Sequence, residues 1–271
     1  MRRLKRIYLR LAHNTFVSSD SEFIQGKTLL KNDEIRITGN SQLIIGDKCM
    51  LKNCRITITT NARLVIENGA ILQNMHIFID NAQCVIGKSC SLSDSKIEVI
   101  TNSKIVFGES CIIEKGNQWH TPAWSLQDNS VVEVADHNRF RCDLYSRFGA
   151  TITIGCYNCL NEGTEIRADE RVSIGDYNMI SYNCRIWDTN THVFYSDYTR
   201  REMTERMFPY IGIESEKPRT KPVYIGSDNL IGESAAILKG SKIENKCKIG
   251  FRAIVSNEDI ADDSTFVSKR S

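Results

Sequence analysis

No apolar run in this chain approaches the roughly 18 residues that cross a bilayer, so a membrane-spanning helix is not expected. Charge of one sign is also missing. The 35 Lys and Arg stand against 33 Asp and Glu, a net +2 over 271 residues. That balance gives neither the basic footprint of a nucleic-acid binder nor an acidic tail. Aromatic residues are few, at 8%. No secretory h-region is present, and the expectation is a cytoplasmic protein. Cysteine is the residue not in short supply, with ten. Several of them share one position of the repeat described next, which reads as small buried hydrophobes in a reducing compartment. Cys156-x-x-Cys159 is a single pair without a second, a weak signal for zinc or redox chemistry.

What is abundant is repetition. Short apolar triplets begin at Ile45, Ile66, Ile86, Phe107, Val134, Ile154, Ile174, Ile225 and Ile243. Six residues after each stands Leu51, Leu72, Leu92, Ile113, Phe140, Leu160, Ile180, Ile231 and Ile249. Four after each start sits a small or turn-prone residue: Cys49, Ala70, Cys90, Cys111, Asn138, Asn158, Asn178, Asn229 and Cys247. A period in this range marks a solenoid, in which one repeat cannot bury its core alone. From Ile225 the apolar positions keep a strict six-step through Ile231, Ile237, Ile243, Ile249 and Val255. A helix would show steps of three and four, and a hairpin sheet longer runs of alternation. The six-step predicts a triangular parallel β-helix, one inward side chain per side. The four successive asparagines are expected at the corners in the left-handed conformation, which Asn tolerates.

Three segments break the pattern. In residues 1–30, Leu4, Ile7, Tyr8 and Leu11 share one helical face beside Arg2, Arg3, Lys5, Arg6 and Arg10. This predicts a short basic amphipathic helix ahead of a solenoid domain spanning 31–271. It would either cap the open end of the solenoid or touch anionic lipid as a peripheral membrane contact. A first interruption near 114–127 carries Trp119, His120 and Trp124. Those indoles would stack on sugar rings or pack the loop onto the coil. The second interruption, 193–222, is a long extruded loop with Arg200, Arg201 and Arg206, and a loop of that length in a repeat protein is usually functional.

The segments VSIGDYNMISYNCRIWDTNTH and KPVYIGSDNLIGESAAILKGSKIENKCKIG resemble the left-handed β-helix, hexapeptide-repeat acyltransferases. The 20-residue coils before them look like the capsule and sialic-acid polysaccharide O-acetyltransferase branch. The resemblance implies a homotrimer that transfers an acetyl group from acetyl-CoA to a sugar hydroxyl without a metal. It makes His192 the general base, with Asp188 or a backbone carbonyl orienting its ring. Backbone N–H groups around Gly232, Ser234 and Ala235 would hold the thioester oxyanion. Leu230 stands where many relatives carry Trp, and with Ala253 it completes the expected coenzyme A surface, whose phosphates would meet Lys239, Lys248 and Arg252. Asn161, Tyr182 and Asn183 would line an acceptor pocket, and Arg200 and Arg201 would grip a carboxylate or phosphate of the glycan. Two other readings stay open: N-acetylation of a nucleotide-linked amino sugar, and a non-catalytic glycan-binding scaffold.

Overall fold

A computed structural model describes residues 18, 20–31, 34–53, 55–74, 76–94, 96–116, 121–210 and 216–268. Within them the chain winds through three parallel sheets of 11, 11 and 10 strands, each strand pairing with the one three places along the chain. The triplets align in direct register down the first sheet, from Ile45 on Ile66 to Ile225 on Ile243. The second rows align in the next sheet, Leu51 on Leu72 and Ile231 on Ile249. A third row, Ile35, Ile56, Ile77 and onward to Ile186, Ile237 and Val255, closes the triangle. All of these side chains are buried in one continuous core. The solenoid begins earlier than the sequence suggests. Glu22–Gln25 and Leu29–Lys31 already pair with Gln42–Ile45 and Met50–Lys52, so the first coil begins within residues 1–30. The predicted basic helix falls on residues 1–17, outside those described.

Trp124 is a correction. It lies on the strand Ala123–Leu126, in register between Ile97 and Leu144, and is 1% exposed. Its ring packs 5.1 Å from both Phe107 and Phe140, and its Nε1 donates to Cys142 O at 3.0 Å. The indole fills an inward position of the third sheet and has no face for a sugar. Trp119 and His120 lie outside the described residues.

The corner asparagines are a second correction. The left-handed residues are their predecessors, among them His137 (φ 60°), Tyr157 (58°), Tyr177 (57°) and Asp228 (61°). Asn138, Asn158, Asn178 and Asn229 are instead buried. Asn158 Nδ2 donates to Asn138 Oδ1 at 3.0 Å and Asn178 Nδ2 to Asn158 Oδ1 at 3.0 Å, while the N–H of Asn229 meets Asn178 Oδ1 at 2.9 Å. Where a coil carries cysteine at this rung, the thiol does the same work. Cys90 donates to Gly108 O at 3.1 Å and Cys247 to Ala261 O at 3.1 Å. The nine described cysteines are free thiols, most of them buried. Burial pushes Cys84 up to about 12, which keeps it protonated.

The ladder makes a stability prediction. Asn178 Oδ1 accepts from Asn229, and its Nδ2 donates to both Asn158 and Gly226 O. Asn178→Ala strands partners that water does not reach and should cost about 3 kcal/mol, read as a lowered denaturant midpoint with unchanged slope.

Candidate functional site

The long loop leaves the edge between the third and first sheets on a pinned stem. Thr189 and Thr220 form an antiparallel bridge, Asn190 N donates to Arg219 O at 3.0 Å, and Lys221 N to Asp188 O at 2.9 Å. Asp169, on the coil before, holds the stem from beneath. It accepts from Arg147 Nε at 2.9 Å and Nη2 at 2.8 Å, and from Thr189 Oγ1 at 2.7 Å. Thr191 turns the chain through the left-handed region (φ 64°). His192 follows and is exposed. Beyond it, helix α1 (Asp197–Met207) is capped by Ser196 and buries none of its residues. Phe194, Tyr198, Phe208 and Tyr210 are each at least 70% exposed. Arg200 pairs with Asp197 at 3.1 Å, and Arg201 is exposed on the same helix.

Asp188 stands at the foot of the stem, beside Thr189. It is fully buried. Its Oδ1 accepts from Asp169 N at 2.8 Å, and its Oδ2 from Glu170 N at 2.8 Å and Arg171 N at 2.6 Å. These three bonds tie the carboxylate to the previous coil's corner, so Asp188 clamps the stem. Burial pushes its carboxyl up to about 6, against those three bonds and with help from the neighbouring Asp169 charge.

A folded-state pKa above the unfolded 3.8 means that the folded protein takes this proton more readily. The resulting stabilisation is complete below about pH 4 and is lost as pH rises through about 6, on the order of 3 kcal/mol. Asp188→Asn has no proton to give. Its unfolding free energy should lack this slope between pH 4 and 7, whatever its absolute value, as read from urea titrations across that range.

A second group gathers on the edge between the second and third sheets. Gly163 takes φ 74°, and a Cβ there would sit 2.2 Å from Asn183 Oδ1, so glycine lets the next coil's Asn183 close over it. Asn161 donates to Ile180 O at 3.3 Å, Tyr182 is half-buried, and Asn183 and Arg252 are exposed. The Arg252 guanidinium lies 4.8 Å over Phe251. Ala235 and Ala253 point inward as small corner fillers. The amides expected to serve as oxyanion donors are engaged within the chain. Gly232 N bonds Ile249 O at 2.8 Å, Ser234 N bonds Tyr182 O at 2.8 Å, and Ala235 N bonds Gly232 O at 3.2 Å. Parallel coils consume these amides. Leu230, 49% exposed, and Lys248 are in-register neighbours on the outer face of the second sheet, while half-buried Lys239 stands back on the edge that carries the stem.

Within one chain, then, His192, Arg200, Arg201 and Lys239 belong to one edge, and Asn161, Tyr182, Asn183, Ser234 and Arg252 to another. The third sheet separates them. On its outer face the sequence reading missed a row of three. Tyr145, Arg167 and Trp187 are in-register partners on successive coils, with the guanidinium 5.4 Å from each ring. Arg167 Nε donates to Glu165 Oε1 at 2.9 Å. Trp187 Nε1 is shut off from solvent and has no acceptor, a loss of about 1–3 kcal/mol if nothing binds there. Each of the three directly follows an inward residue, Leu144, Ile166 or Ile186, but outward positions carry no hydrophobic period to reveal them. On a different edge, the His137 ring lies tilted 4.8 Å from Tyr157, which stacks 5.0 Å from Tyr177.

Among the described residues no helix is long and apolar enough to cross a membrane. No family model and no curated protein matches the chain. Solved structures do. One is the polySia-specific acetyltransferase NeuO, at 15% identity over 82% of this chain and 80% of that one, TM-score 0.43. Another is the polysialic acid O-acetyltransferase OatWY, at 16% over 90% and 93%, TM-score 0.36. A third is the UDP-N-acetylglucosamine O-acyltransferase LpxA from Moraxella catarrhalis RH4, at 16% over 73% and 67%, TM-score 0.35. These likenesses assign no residue.

Proposed function

We propose that this chain is an acyltransferase of the left-handed hexapeptide-repeat kind. It moves an acetyl group from acetyl-CoA to a hydroxyl of a cell-surface polysaccharide sugar, capsule or lipopolysaccharide, in a cytoplasmic homotrimer. The observation that carries the reading is His192: an exposed imidazole on a stem that Asp188, Asp169 and Thr189 hold rigid at a prism edge. A sugar hydroxyl is a poor nucleophile near neutral pH, and imidazole titrates close enough to take its proton. As the hydroxyl oxygen attacks the thioester carbonyl, the proton passes to His192. Collapse of the tetrahedral intermediate breaks the C–S bond, and the same proton goes to the departing thiolate. The products are the acetyl ester and coenzyme A, so the histidine ends as it began. Both substrates meet in one ternary complex, and the gain comes from orientation.

The donor's phosphates suit the exposed cations of the last coils. Lys246, Lys248 and Arg252 form no ion pair among the described residues, whereas Lys242 is already engaged by Glu244. The separation of the two edges supports a site shared between prisms. The loop of one copy, with Phe194, Tyr198, Phe208 and Tyr210 unburied, would close over the second edge of its neighbour, and burial of those rings would supply the driving force.

The reading is tested with acetyl-CoA and a panel of acidic and neutral polysaccharides, following thiol release. His192→Ala should lower kcat by roughly 100- to 10,000-fold while coenzyme A binding by calorimetry stays intact. Undiminished turnover in the variant refutes the base, and wild-type protein that neither binds nor consumes the donor refutes the enzyme.

A further inference from the structure

The geometry points to the outer face of the third sheet as a binding site for an anionic group of the acceptor sugar, with Arg167 as its receptor between Tyr145 and Trp187. The inference rests on the acyl-transfer reading for the word acceptor, and on this surface for everything else. Arg167 is flanked one coil above and one below by aromatic rings, each 5.4 Å from the guanidinium carbon. Glu165 holds its Nε at 2.9 Å. The side chain is thus stacked, 27% exposed, and fixed at one end. Its two Nη groups have no protein partner among the described residues, which leaves the end of the fork for a carboxylate or phosphate, a geometry that arginine meets bidentately. Stacking on the rings has already immobilised the long side chain, so little freedom is lost when an anion docks.

A second observation points the same way. Trp187 Nε1 is screened from water and donates to nothing. Buried polar groups ordinarily have partners, and an orphan asks for one that arrives from outside. Tyr145 adds a phenol kept protonated by burial and by the Asp143 and Glu165 charges. One guanidinium, one indole and one phenol ring therefore stand in one row on the outer face of the third sheet. The carboxylates of Asp143 and Glu165 border it. Trp187 runs directly into Asp188 and the stem, so a sugar anchored by its acid group on Arg167 lies one coil from the coil from which His192 emerges.

The test is equilibrium binding without acetyl-CoA, so its failure does not depend on turnover. Full-length protein is titrated with a sialic-acid polymer, a galacturonic-acid oligomer, a glycerol-phosphate polymer, and the carboxyl-reduced form of each carboxylated glycan. Wild type should bind at least one acidic glycan and bind its reduced counterpart, or neutral dextran, roughly 10- to 100-fold more weakly. The carboxylated and phosphodiester arms separate the two sources of negative charge. Arg167→Gln should remove that preference, and Arg167→Lys should restore part of it. Trp187→Phe keeps the ring and deletes the stranded donor. It should weaken glycan binding several-fold while Tm holds or rises, a combination that a purely structural indole would not give. Equal binding of acidic and neutral glycans by wild type overturns the proposal. So does an Arg167→Gln variant that folds and binds as wild type, or one whose loss falls on coenzyme A.

Discussion

Direct stacking of each coil on the one before is the constraint from which the rest follows. Backbone N–H groups feed the carbonyls of the adjoining coil along all three sheets and round the corners as well. Every phase of the repeat is thereby a column of residues in one environment. Inward columns fill with Ile and Leu; corner columns fill with groups that can bond vertically. At the first corner Asp47, Asn68, Asp136, Asp176 and Asn245 each accept the N–H of the preceding coil. One rung inward, cysteine on some coils and asparagine on others donate to the next coil's carbonyl. These are one device in two chemistries, and they give the buried thiols a structural role.

The same stacking restricts where chemistry can occur. A coil's amides are committed, as those of Gly232, Ser234 and Ala235 are, so backbone donors are poor candidates for an oxyanion site. What remains is outward side chains and whatever departs from the coil. The stem that carries His192 is the clearest departure, and the molecule invests two buried carboxylates, Asp169 and Asp188, in holding it. Charge buried with several bonds is costly to place and costly to disturb, which fits a stem whose position matters more than its contribution to stability.

The fold was legible in the residues because burial on three inward columns imposes a six-step period and allows little else. The errors share one cause. Trp124 looked like a loop residue because the insertion before it hid the phase, and its inward position appears only when Ile97 and Leu144 are seen above and below it. The asparagines were assigned one residue off because composition favours Asn in a left-handed turn, while the inward column needed its amide more. Asp188 stands close to His192 in the chain, yet its bonds run to a coil 17 to 19 residues earlier, which no one-dimensional pattern displays.

By itself, then, the sequence determined the class of solenoid, the inward columns and the place where the chain leaves them, since each is a matter of hydrophobic period along one dimension. Only the tertiary structure decided that Tyr145, Arg167 and Trp187 form a single row, that His192 and Arg252 stand on different edges, and that Asp188 is a clamp. Those relations join residues a coil or more apart on surfaces where water tolerates nearly any side chain. No periodic signal is imposed there, and only the stacking of coils brings the partners together.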